Sequence, residues 1–374
     1  MTAPPVPSRP SPGPAPLHLA VALDGAGWHP AAWREPGARA AELFTAAYWA
    51  DLVAEAERGL IDFVTFEDSF APAIRADRVS GRLDAVLTAA RVAPLTRHVG
   101  LVPTVTATHT EPFHISKAIA TLDYVSTGRA GIRIRVSARA DEAAHFGRRA
   151  FPVPEAELRE EAADHVEVVR RLWDSWEDDA EIRDAATGRF VDRHKLHPID
   201  FEGRHFSVRG PSITPRPPQG QPLVTASSGV LPAGSADLVF TTPRSAEEAR
   251  AGLPDGPAHV FADLVVLLDA SPGAAADRLH RLDAAVGRPY GGDADVFTGT
   301  PAGLADRLQE WQGAGLTGFR LRPGVLAHDL PAITRGLVPE LQRRGAFRTA
   351  YGARTLRGLL GLERPANRYA AATS

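Results

Sequence analysis

A (β/α)8 TIM barrel with insertions is the architecture this sequence predicts, and three observations carry it. Eight short apolar runs alternate along the chain with longer segments of helical period. The stretches between the early runs are long enough for crossovers, which parallel strands require. The 374 residues, 44% of them hydrophobic, suffice to bury one large core. A doubly wound open sheet is the alternative, but no strand is followed by a G-x-G-x-x-G turn.

Taken in order, residues 1–16 hold seven prolines and form a disordered tail, and the barrel is expected over 17–350. HLAVALDG (18–25) reads as the first strand, AAYWADLVAEAERG (46–59) as a helix closed by glycine, and DFVTFEDS (62–69) as the second strand. A helix over 83–94 stops at Pro94, a strand follows at 99–107, and a helix over 111–128 ends at Gly128. The fourth strand lies in GRAGIRIRVSA (128–138), and a helix follows at 161–176. An insertion at about 177–220 contains a hairpin and a proline-rich connector. Further strands are expected at 221–229, 236–242, 259–269 and 316–324, with helices at 245–253, 273–287, 300–315 and 330–345. The fifth and sixth βα units are short: residues 230–235 leave no room for a helix of roughly ten residues. Residues 351–374 form a C-terminal extension.

Composition narrows the function. With 42 Lys+Arg against 45 Asp+Glu, nothing in the bulk charge points to nucleic acid or a membrane surface. The absence of cysteine removes disulfides, thiolate metal sites and cysteine nucleophiles. The histidines at 29, 109, 114 and 145 have no metal-pair spacing, so no metal is expected, and no G-x-S-x-G elbow is present. The tail lacks an apolar segment of signal-peptide type and no run spans about 18 apolar residues, so the expectation is a cytoplasmic protein.

In a barrel enzyme the site forms at the carboxyl ends of the strands, which converts the strand assignments into candidate residues. Strand one leads to Asp24, Trp28 and His29; strand two to Glu67, Asp68 and Ser69; strand three to Thr104, Thr106, Thr108 and His109. Strand four offers Arg133, Arg135 and Ser137, and strand five Ser227, Ser228 and Gly229. A Thr or Ser at a strand end is ordinarily a turn or helix cap, and Asp68-Ser69 can be one. The alternation Ile132-Arg133-Ile134-Arg135-Val136 is more telling. If the apolar residues face the helices, both arginines enter the barrel, where an unpaired guanidinium is costly. Asp24, Glu67 and Asp68 are available partners, with Asp68 the first candidate; an internal salt bridge is the plain account of Arg135.

Several stretches together resemble the flavin-dependent monooxygenases of the bacterial-luciferase-like superfamily, in the branch of nitrilotriacetate and dibenzothiophene-sulfone monooxygenases. They are AERGLIDFVTFEDS (56–69), PTVTATHTEPFHISKAIATLDYVSTGRAG (103–131), VEVVRRLWDSWEDDA (166–180), IDFEGRHFSVRGPSITPRPPQGQPLV (199–224) and the stretch 338–369, with its RTLRGLLGLERPANRY ending. The resemblance implies a barrel that binds reduced FMN delivered by a separate NAD(P)H-dependent flavin reductase. O2 then adds at flavin C4a, and the (hydro)peroxyflavin oxidises a small organic molecule. It places Asp68 and Thr106 by the flavin, and Arg133 where the family has an asparagine near the pyrimidine edge. Ser137 is kept, Ser227, Ser228 and Gly229 fall in the FMN phosphate region, and Arg159 stands where a tyrosine commonly contacts that phosphate. Arg133 and Asp68 are thereby the catalytic candidates, Trp28, His29 and His109 the substrate candidates, and a homodimer is implied by analogy. Two other readings remain open: an F420-dependent oxidoreductase of the same superfamily, and a catalytically degenerate flavin- or ligand-binding barrel, suggested by the shortened fifth unit.

Overall fold

Eight parallel strands close on themselves in the computed structural model, which describes residues 17–71 and 79–370. They are β1 (His18–Leu23), β2 (Phe63–Phe66), β3 (Gly100–Thr106), β4 (Gly131–Arg135), β5 (Leu223–Ser227), β6 (Leu238–Thr241), β7 (His259–Leu268) and β9 (Gly318–Pro323). Each pairs with the next, and β9 pairs with β1 to complete the ring. All eight lie where the sequence predicts them. A ninth strand, β8 (Asp295–Gly299), was not expected. It arises because β7 is ten residues long: β6 pairs with His259–Ala262, and β8 pairs with Leu264–Leu268.

The helices α1 (Ala46–Arg58), α2 (Ala85–Val92), α3 (Pro112–Val125), α4 (Ala140–Ala144), α5 (Glu155–Asp174), α6 (Ala246–Ala251), α7 (Pro272–Val286) and α8 (Pro301–Gln312) follow in chain order. The last long helix, α9 (Leu326–Ala332), passes through a π turn at Ile333–Leu337 into α10 (Val338–Arg343), with Pro331 just before the turn. No helix lies between β5 and β6, and α6 has six residues, so both shortened units are as expected. The insertion carries two small hairpins, Glu181–Asp184 with Arg189–Val191 and Phe201–Glu202 with Ser207–Val208. No helix among the described residues is long and apolar enough to cross a membrane. The tail 1–16 lies outside the described residues, as does 72–78.

Strand alternation divides the buried residues into two sets. Leu19, Val21, Val64, Ile132 and Ile134 pack outward into the main core with the helices. Ala20, Phe63, Val102, Leu223, Phe240 and Phe261 form a separate apolar cluster inside the barrel, together with Leu356 and Leu360. The last two belong to α11 (Leu356–Leu359) and the residue after it, so the C-terminal segment is the plug of the barrel base. Gly100 makes room for it: a Cβ there would stand 2.6 Å from Leu356 Cδ1 and 2.8 Å from Phe63 Cβ. The segment is tied down by polar contacts as well. Gln219 accepts from the Arg357 backbone N–H, and the Asn367 amide donates to the carbonyls of Asp174 and Trp176.

Candidate active site

Above this apolar base the barrel interior is charged. Arg133 Nη1 donates to Glu67 Oε2 at 2.7 Å, and Arg320 Nη1 donates to Glu67 Oε1 at 3.0 Å. Arg320 also grips Asp263 with Nε and Nη2, both at 2.6 Å, and Arg322 donates to the same carboxylate. Arg322 reaches outward to Asp293. The guanidiniums stack on rings: Arg320 stands 4.1 Å from the Phe240 centroid and Arg322 4.4 Å from that of Trp28. Burial would raise the Glu67 and Asp263 carboxyls, but the arginines outweigh it, leaving Glu67 below its usual range and Asp263 at about 2. Burial and then the neighbouring Arg320 lower the Arg133 guanidinium to about 10, against the opposing pull of Glu67.

The counter-ion of Arg133 is therefore Glu67 and not Asp68. Alternation decides it, because Phe63, Thr65 and Glu67 share the interior face of β2 and its extension while Asp68 turns away. Asp68 accepts from the backbone N–H groups of Ser69 and Ala85, which ties the strand end to the start of α2. Burial nevertheless lifts its carboxyl above the ordinary range. Arg135 pairs with Glu142 of α4 at 3.1 Å, an acid that is fully buried, and its contact with the Thr106 hydroxyl is a long 3.5 Å. Ser137 accepts from the Arg139 N–H and donates its own N–H to Thr108.

At the carboxyl ends of β1 and β2 a cavity of about 440 Å³ opens, walled by Trp28, Trp33 and Trp49 and bordered by Glu67. Trp28 and His29 both line it. The His29 ring is 98% buried and both nitrogens are used: Nδ1 accepts from the Ala31 N–H, so Nε2 carries the hydrogen given to Asp283 of α7. Burial lowers its pKa despite Asp283. No nitrogen is left for a substrate hydrogen bond, and His29 acts as a latch between the β1 loop and α7. His109 lies in a different cavity, of about 530 Å³, stacked on Phe146 at 4.9 Å with Nε2 unpartnered.

Arg133 reaches a second region too. Its Nη2 lies 3.5 Å from Ser227 Oγ, at the rim where Ser227, Ser228 and Gly229 line a further cavity of about 280 Å³. Gly229 has φ +75°, and among the described residues beyond its chain neighbours the atom near the position of a Cβ is Arg159 Nη1 at 4.0 Å. Arg159, on α5, also pairs with Glu155. The structure thus brings together Arg133, Ser227, Ser228, Gly229 and Arg159, and keeps Asp68 and His109 apart from them. Sequence reasoning missed Arg320, Arg322, Asp263, Glu142 and Asp293. The signal for two of these was present: Phe319-Arg320-Leu321-Arg322 alternates as the fourth strand does, and Asp263 is a lone acid in an apolar strand.

The luciferase-like monooxygenase family pattern matches residues 26–295. The chain is 31% identical to the N-acetyl-S-(2-succino)cysteine monooxygenase of Bacillus subtilis (strain 168), over 95% of this chain and 98% of that relative. It is 29% identical to nitrilotriacetate monooxygenase component A of Aminobacter aminovorans, over 94% and 97%. The EDTA monooxygenase structure from Chelativorans sp. BNC1 shares the fold with a TM-score of 0.82 at 23% identity, covering 94% of this chain and 99% of that one. A barrel of this topology, a family match over most of the chain and relatives that are named monooxygenases agree: the chain belongs to the luciferase-like monooxygenases, and is an oxidoreductase.

Proposed function

We propose that the chain is the oxygenase of a two-component FMN-dependent monooxygenase, which takes reduced FMN from a separate NAD(P)H-dependent reductase and uses O2 to oxidise a small organic molecule. The observation that carries this reading is the span of Arg133, which touches Glu67 at the tryptophan-walled cavity with one nitrogen and Ser227 at the glycine-serine corner with the other. A flavin mononucleotide has a flat ring and an anionic phosphate, and these two regions suit those two ends. The cradle at Gly229, open except for a guanidinium 4.0 Å away, fits a phosphate. The missing helix after β5 removes amide dipoles that an anion would otherwise use, so Arg159 and the hydroxyls of Ser227 and Ser228 carry more of the phosphate binding.

When bound, reduced FMN supplies the electrons for oxygen activation. The chain's own residues hold, orient and shield. Trp28, Trp33 and Trp49 exclude water from the cavity. Arg133, a cation only 9% exposed, favours negative charge on a ring edge or substrate placed beside it. Glu67 keeps that guanidinium in place. The name of the Aminobacter relative, a component A, supports a partner reductase. By analogy with the family, the same reading includes a cytoplasmic homodimer.

The test is to mix the protein anaerobically with reduced FMN or reduced F420, admit oxygen, and record absorbance. An oxygenated-flavin spectrum with FMN supports the reading; binding of F420 alone, or of neither, overturns it. Arg159→Met is expected to weaken reduced FMN about tenfold and reduced riboflavin little, because only FMN carries the phosphate.

A further inference from the structure

Around the barrel axis three guanidiniums, Arg133, Arg320 and Arg322, share two interior carboxylates, Glu67 and Asp263, while Arg135, nearer the mouth, pairs with Glu142. The third negative charge comes from the surface. Asp293, on loop 287–294 between α7 and β8, meets Arg322 with both oxygens, Nη1 to Oδ1 at 2.7 Å and Nη2 to Oδ2 at 3.2 Å. Its side chain is 66% exposed, whereas that of Arg322 is 3% exposed. A buried cation is thus neutralised by a carboxylate whose other side is in water.

The position of Asp293 sharpens this asymmetry. It borders two cavities at once, one of about 220 Å³ shared with Trp28 and Tyr290, and one of about 350 Å³ shared with Ser227 and Thr241. The loop that presents it contains Gly291 and Gly292, and a Cβ on Gly291 would meet nothing within 4 Å. The loop is anchored beside this point, by the Tyr290 N–H on Asp283 and by the buried Ala294, and leaves open space at Gly291, while Arg322 is fixed by Asp263 and by its stack on Trp28.

We propose that Arg322 is the centre of an anion-recognition site, that Asp293 is its resident counter-ion, and that the molecule oxidised by this chain bears a carboxylate that takes Asp293's place. Exchanging one carboxylate for another keeps the buried charge balanced, so the exchange avoids the cost of an unpaired interior guanidinium. The guanidinium fork already receives a carboxylate by two nitrogens, the geometry a ligand carboxylate would reuse. A neutral ligand gains nothing there and leaves Asp293 seated, so the site separates an acid from its ester. That the ligand is the substrate rests on the monooxygenase reading; the site itself rests on the ion pair.

The test uses flavin-free full-length protein, so a failure to bind flavin leaves the outcome readable and a failure here leaves the flavin reading standing. Succinate and dimethyl succinate are titrated by calorimetry into the wild type, Asp293→Asn, and Asp293→Asn combined with Arg322→Lys. A tethered carboxylate competes at millimolar effective concentration. Removing it is expected to tighten succinate at least tenfold, to leave the diester unbound, and to lose that gain when lysine replaces the fork. Equal succinate affinity in wild type and Asp293→Asn, equal binding of acid and ester, or a gain that survives Arg322→Lys overturns the proposal. If Asp293→Asn folds poorly, succinate is expected to restore its melting temperature and sodium chloride of equal ionic strength is not. Equal effects of the two salts overturn it.

Discussion

Glu67 and Arg133 meet at 2.7 Å inside the barrel from strands that are not neighbours, across the face of β3, and the other oxygen of Glu67 holds Arg320. One carboxylate, its side chain only 12% exposed, therefore neutralises parts of two guanidiniums. Glu67→Gln is expected to cost about 3–5 kcal/mol of stability, because it strands buried cations. Combining it with Arg133→Met should cost less than the sum of the single changes, by on the order of 2 kcal/mol. Urea unfolding of the four proteins measures this; additivity would show that the pair is not coupled.

The same network sets an acid limit. Asp263 has its folded pKa at about 2, below the 3.8 of an ordinary aspartate, with Arg320 and Arg322 overcoming burial. A depressed carboxyl contributes stability that is fully present above the unfolded pKa and is lost as pH falls toward the folded one. The stability curve should therefore drop between about pH 4 and 2, by roughly 2 kcal/mol from this group. Asp263→Asn should be less stable at neutral pH and show a shallower acid slope, as read from urea midpoints at each pH.

His29 gives a second slope, at milder pH. Burial lowers its folded pKa below the usual 6.5, so the unfolded chain takes up the proton first and stability falls as pH drops below about 6.5. His29→Gln should lose about 1–3 kcal/mol at pH 7.5 through its two hydrogen bonds. It should also flatten the change between pH 7 and 5.5. Thermal melts across that range report both effects.

Leu356 is fully buried between Phe63 and the space left by Gly100. Leu356→Ala should open a cavity at the barrel base and cost about 2–5 kcal/mol. The loss is expected in the urea midpoint, with the far-ultraviolet spectrum of the folded state unchanged.

Most barrel strands were legible because a strand buried on both faces is a nearly continuous apolar run, β4 and β9 because theirs alternates with arginine, and the chain punctuates the runs with Gly and Pro. The interior placement of Arg133 and Arg135 was legible from alternation alone. The partner was not, although parity held the answer: Glu67 shares its face with Phe63 and Thr65, and Asp68 does not. β8 escaped notice because DVFTG is brief and lies beside polar loop residues, and it is a strand only because β7 overruns β6. Asp293 could not be found from sequence, since an acid in a glycine-rich loop is ordinarily solvated and only the closed barrel brings it to Arg322. The same holds for His29 and Asp283, 254 positions apart.

The base plug has a consequence for how the chain is made. Leu356 and Leu360 emerge from the ribosome after every barrel strand, and Asn367 later still. Until then the apolar ring of Phe63, Val102, Phe240 and Phe261 has no floor. A nascent chain halted near residue 350 would hold all its strands and an uncovered greasy opening, which is a surface that chaperones and proteases recognise. A truncation before Leu356 is therefore expected to lower the yield of folded protein before it alters chemistry.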